Sequence, residues 1–122
     1  MKLAAAALLL AAAAAQAQTD AVALGQRLAQ SSCAACHGFV QGAGHGVGPN
    51  LYGLLGRAAA AAPGYEYSKA YVAAMQGKTW DRALLERWLT DTQTVAPGSG
   101  MVYFQDDPVK RDALIAYLQS LH

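Results

Sequence analysis

The chain has 122 residues, enough for one domain with one core, and its nine Lys or Arg against eight Asp or Glu leave a formal charge of +1. That balance excludes the clustered basic excess that nucleic acid or an anionic membrane surface demands. The hydrophobic share of 54% overstates how apolar the working domain is, because much of it is alanine gathered at the N-terminus.

Residues 1–17, MKLAAAALLLAAAAAQA, carry one basic residue ahead of an apolar run from Leu3 to Ala15. They end in Ala15, Gln16 and Ala17, the small-x-small pattern that signal peptidase accepts. The run is shorter than the ~20 apolar residues of a spanning helix, which argues against an uncleaved anchor. The expectation is an exported, periplasmic protein cut after Ala17, with residues 18–122 as its mature domain.

The next stretch, TDAVALGQRLAQSSC, places Val22, Leu24 and Leu28 at near-helical spacing, with Thr19 or Asp20 as N-cap. From Gly38 to Gly64 the chain is punctuated by glycine and proline, a long apolar loop suited to wrapping something apolar. A second helix is predicted in SKAYVAAMQG, capped by Ser68 and ended by Gly77. A third lies in TWDRALLERWLTD, with Asp81 near its start and Leu84, Leu85, Trp88 and Leu89 as one apolar stripe. TQTVAPGSGMVYFQD reads as loop. The last helix is announced by Asp107 as N-cap and Pro108 at the first helical position, with Leu114, Leu118 and Leu121 on one face. No strand pattern is present, so the predicted class is all-α, short helices joined by long loops.

Both cysteines lie in SSCAACHG, where Cys33 and Cys36 flank two alanines and His37 follows directly. A dithiol redox motif uses this spacing but belongs after a strand, and none precedes it. A zinc site needs four ligands, and only His45 and His122 are left over, neither at finger spacing. Covalent haem attachment uses all three residues: two thiols one helical turn apart reach the two vinyl groups of one porphyrin edge, and the next residue presents an imidazole to the iron. Export and the lack of other cysteines agree with it, and an anchored haem supplies the core that so small a domain lacks.

A second axial ligand decides between chemistry and electron exchange. Met75 lies on a helical stretch and reads as core filler, whereas Met101 follows Pro97, Gly98, Ser99 and Gly100 in a loop that can bring a thioether over an iron. His45 reads as a structural hydrogen-bonding residue and His122 as a mobile terminus. Haem propionates drawn into a protein need donors, and Arg57, Tyr65, Tyr67 and Trp80 are candidates.

These residues give the sequence a resemblance to the class I cytochrome c family, in the branch containing mitochondrial cytochrome c and its bacterial relatives. The likeness runs through Gly25, CAACHG, GVGPNLYGLLGR, APGYEYS, Trp80, APGSGM and RDALIAYLQSL. It implies one haem c enclosed by short helices, the first and last crossing near Gly25 and Tyr117. It also implies His37 as proximal ligand, Met101 as distal ligand, Pro49 as carbonyl acceptor for the proximal imidazole, and Arg57, Tyr67 and Trp80 as propionate donors. Gly100 replaces a lysine that precedes the ligand methionine in mitochondrial members, so acidic-patch docking is not carried over. Trp88 stands where many members have a tyrosine, and Ala29 where many have an aromatic on the first helix, which predicts a looser crossing.

The function expected is monomeric one-electron transfer in the periplasm, between membrane cytochrome complexes, oxidases or dehydrogenases. A haem peroxidase and a small-gas sensor are the rivals, both requiring an open iron; a dedicated dehydrogenase subunit would keep the same chemistry.

Overall fold

A computed structural model describes residues 2–122. It contains α1 (Lys2–Ser32), α2 (Lys69–Met75), α3 (Arg82–Thr90), α4 (Thr92–Val95) and α5 (Pro108–Gln119). Among the described residues there is no strand, only isolated bridges pairing Ala58 with Thr79 and Asp91 with Phe104. The protein is all-α, as its sequence pattern indicates.

Helix starts follow side-chain chemistry. The hydroxyl of Ser68 accepts from the Tyr71 N–H, and the Asp81 carboxylate accepts from the Leu84 N–H at 2.7 Å, each satisfying an amide that the first turn leaves without a partner. Asp107 does the same for Val109 at 2.9 Å, with Pro108 preset for the first helical position. The stripe Leu84, Leu85, Trp88 and Leu89 is buried throughout. In α5 every residue from Ala113 to Leu118 is buried, a wider face than the leucine pattern indicates.

Two elements differ from expectation. The segment TQTV forms α4, a single turn too short to leave a periodic signal, capped by Asp91, which also closes α3. The first helix does not begin at Thr19 or Asp20: it runs unbroken from Lys2, and the Thr19 hydroxyl donates back to the Ala15 carbonyl within it. Alanine and leucine have the strongest helix propensity, so nothing upstream interrupts the backbone. By length and composition α1 suits a membrane crossing. However, residues 2–20 are exposed throughout, and packing starts at Ala21, with Gly25 and Ala29 in the core.

The crossing of α1 and α5 is tight rather than loose. A Cβ at Gly25 would overlap the Ala113 carbonyl and the Tyr117 side chain, so glycine permits backbone-to-backbone approach. Ala29 is buried there, and the aromatic contact missing from α1 comes from Phe39, whose ring centroid lies 5.7 Å from that of Tyr117. Met75 and Ile115 are fully buried, which gives Met75 the core-filling place expected of it.

Candidate haem site

The turn after α1 places the cysteine motif. The Cys33 N–H donates to the Ala29 carbonyl, and the His37 N–H to the Cys33 carbonyl at 2.9 Å, continuing helical hydrogen bonding past Ser32. Cys33 and His37 are thus one turn apart and share a face. The glycine loop then closes over the turn: the Gly48 N–H donates to the Cys36 carbonyl and the Leu51 N–H to the Gly38 carbonyl, both at 2.8 Å.

His37 Nδ1 lies 2.7 Å from the Pro49 carbonyl oxygen. A carbonyl can only accept, so Nδ1 carries the proton and the Nε2 lone pair is free to bind a metal. Burial lowers the pKa of His37, with the Pro49 bond opposing it, which favours the neutral imidazole that a ligand must be. Burial also raises the Cys33 thiol, with a further push from Cys36.

Pro49 is presented by an ordered loop centred on Asn50, whose importance the sequence did not reveal. Its side-chain amide donates to the Val40 and Ala43 carbonyls at 2.9 and 3.0 Å and accepts from the Tyr52 N–H. Its own N–H donates to His45 Nδ1, while His45 Nε2 lies 2.7 Å from the Pro63 carbonyl oxygen. His45 is thereby a loop fastener. Arg57 donates to the Asn50 carbonyl at 3.0 Å, and the Tyr67 hydroxyl accepts from the Ala62 N–H.

All eight site residues expected from the sequence, Cys33, Cys36, His37, Pro49, Arg57, Tyr67, Trp80 and Met101, line one largely apolar cavity of about 480 Å³. Tyr65 also reaches it. Along its wall Tyr67 stacks on Tyr71 at 5.0 Å, and Tyr71 meets Trp88 edge-on at 5.6 Å. Sequence reasoning missed Tyr71 as a wall residue. Burial pushes its hydroxyl up to about 12, with Tyr67 adding to the shift.

Two thiols, an imidazole with its Nε2 available and a thioether around an apolar hollow form a donor set suited to haem, whose macrocycle needs apolar surroundings and whose iron takes nitrogen and sulfur axially. Among the described residues no group of three or more His, Cys, Asp or Glu could hold a bare metal ion. The cytochrome c family model matches residues 22–122. The chain belongs to the cytochrome c family. Cytochrome c of Chlamydomonas reinhardtii is 39% identical over 106 residues, covering 86% of this chain and 93% of the relative. Cytochrome c2 of Rhodopila globiformis is 39% identical over 98 residues, covering 80% and 90%. Cytochrome c2 iso-2 of Magnetospirillum fulvum reaches 41% over 90 residues, covering 73% and 91%. As a member of this family the protein is an electron carrier, not an enzyme, and its cofactor is one covalently bound haem c.

Proposed function

We propose that the mature protein, residues 18–122, is a monomeric periplasmic carrier whose haem is anchored by Cys33 and Cys36 and ligated by His37 and Met101. The observation that carries this reading is the convergence of those four residues on one cavity, with the His37 tautomer set by Pro49. Haem bound there supplies an iron that passes one electron by alternating between ferric and ferrous states. The protein's residues set the conditions. Pro49 fixes the imidazole, Met101 offers a neutral thioether, and the apolar walls disfavour the extra positive charge of the ferric state, which raises the potential. Arg57, Tyr67 and Trp80 are the proposed propionate partners; in Arg57 one guanidinium nitrogen is engaged with Asn50 and others are free to donate.

The exposed flank of the cavity supports the partner class. Cys36 is exposed, and Val47 and Val102, which line the same cavity, are 78% and 81% exposed. An apolar rim on a nearly neutral domain suits brief docking to membrane cytochrome complexes, oxidases or dehydrogenases through apolar contact more than through charge steering. Export is supported by residues 2–20 standing clear of the domain, and cleavage after Ala17 is checked by the intact mass of protein isolated from the periplasm.

The ligand assignment is tested by the optical spectrum of the ferric haem-loaded protein. A methionine-to-iron charge-transfer absorption present in the parent and lost in Met101→Ala supports it. An unchanged spectrum in the variant removes Met101 from the iron, and a parent that lacks the absorption returns the peroxidase and gas-sensor readings to consideration.

A further inference from the structure

We propose that Thr92 and Gln93 are positioning residues for the distal ligand, holding the backbone of the Met101 loop closed against competing small ligands. The inference rests on Met101 being that ligand. Thr92 is fully buried at the start of α4. Its hydroxyl donates to the Met101 carbonyl at 2.7 Å and accepts from the Tyr103 N–H at 3.0 Å, so one oxygen bridges both sides of Val102. Its backbone N–H also donates to the Tyr103 carbonyl at 3.1 Å.

Gln93 holds the other end of the loop. Its amide nitrogen donates to the carbonyls of Met101 at 2.9 Å and Ser99 at 3.2 Å, and its amide oxygen accepts from the Gly98 N–H at 3.0 Å. The Met101 carbonyl therefore receives two side-chain donors. Of the backbone groups in residues 98–103 that have protein partners outside the helices, only the Ser99 N–H is bonded elsewhere, to the Ala96 carbonyl. Gly100 adds no side chain to hold the loop, and a Cβ there would meet nothing within 4 Å.

The loop must move before Met101 can leave its place, and moving it breaks these bonds. An outside ligand competing for the same position then binds with an apparent affinity scaled by the fraction of molecules whose loop is open. Thr92 and Gln93 keep that fraction small, although neither is proposed to touch the iron. This gives the two residues a role separable from general stability, because their loss acts on one position of the site.

The test titrates ferric haem-loaded protein with imidazole, following displacement of the methionine-to-iron absorption. Gln93→Glu keeps the shape but replaces the donor nitrogen with an acceptor facing two carbonyls; Thr92→Val keeps the shape but removes the hydroxyl. Each is expected to retain the absorption without imidazole and to bind imidazole about tenfold more tightly, the effect of one lost hydrogen-bonding group on loop opening. Thr92→Ser restores the hydroxyl and should return the affinity to within about twofold of the parent. Ile115→Val, in the core of α5, should lower thermal stability without changing imidazole affinity. If Gln93→Glu fails to load haem, Gln93→Ala removes the same amide without adding charge and serves in its place. Parent-like affinity in the Gln93 and Thr92→Val proteins, with the parent absorption intact, overturns the positioning role and leaves Met101 as ligand. Equal tightening in Ile115→Val overturns it as well, by assigning the effect to general loosening. A parent that lacks the absorption overturns both assignments.

Discussion

The two candidate ligands are held by different means. His37 sits in a wall built from backbone: the turn of residues 33–37 is joined to the glycine loop by main-chain bonds from Gly48 and Leu51, and Gly48 presses its Cα side directly against the imidazole. Met101 sits in a strap hung from side chains, those of Thr92 and Gln93. Close backbone contact fails abruptly when an atom is added, because there is no rotamer by which it can yield. Side-chain hydrogen bonds fail by degrees, each worth about 0.5–1.5 kcal/mol net. The imidazole is therefore placed by steric necessity, and the thioether by adjustable polar chemistry.

The sharpest way to break that contrast is at Gly48. A Cβ there would overlap the His37 ring, which cannot retreat without giving up Pro49. Gly48→Ala should cost about 3 kcal/mol or more, at the upper end of overpacking, and sharply reduce the yield of haem-loaded protein, read by thermal unfolding and haem absorbance. A fully loaded variant of parent stability would show that the proximal wall yields as readily as the distal strap. Asn50→Ala tests the loop that presents Pro49. It leaves the Val40 and Ala43 carbonyls and the Tyr52 N–H without their partner, with water able to reach part of the gap, so about 2–3 kcal/mol should be lost in urea unfolding. A loss under about 0.5 kcal/mol would mean that the glycine contacts alone hold the wall.

How legible each side was follows from the same contrast. The chemistry of the proximal side sits in five consecutive residues, and the caps at Ser68, Asp81 and Asp107 are local signals, so sequence order alone exposes them. The role of Gly48 is not distinguishable from that of Gly44, which has open space around it, because the difference lies in what each meets across the fold. Thr92 and Gln93 were hidden because α4 is one turn long and their partners are main-chain groups five to eleven residues away, which no side-chain pattern records. Tyr71 was hidden differently: nothing local marks it out among the residues of α2, and its place in the cavity comes from stacking on Tyr67 and meeting Trp88 across the fold.

Tyr71 also offers the smallest and most selective test, since it belongs to the wall that α2 and α3 share rather than to either ligand segment. Burial is the main cause of its raised pKa, Tyr67 adds to it, and the Trp80 indole and Arg57 oppose it. A tyrosine raised to about 12 in the folded protein, against about 10 in the unfolded chain, stays protonated longer when folded. Its contribution is fully present below about pH 10 and is lost progressively as pH rises towards about 12. A rise from about 10 to about 12 corresponds to ~2.7 kcal/mol, and because Tyr71 is only half-buried, solvent screening reduces the expected effect to about 1–2 kcal/mol. Urea unfolding of haem-loaded parent and Tyr71→Phe at intervals between about pH 9.5 and 11.5 isolates this group, because the other tyrosines are common to both proteins. The parent should lose stability more steeply than the variant across that window. Parallel curves would place the hydroxyl in contact with water and make the shared wall a wet one, leaving the dry part of the cavity to the segments that carry His37 and Met101.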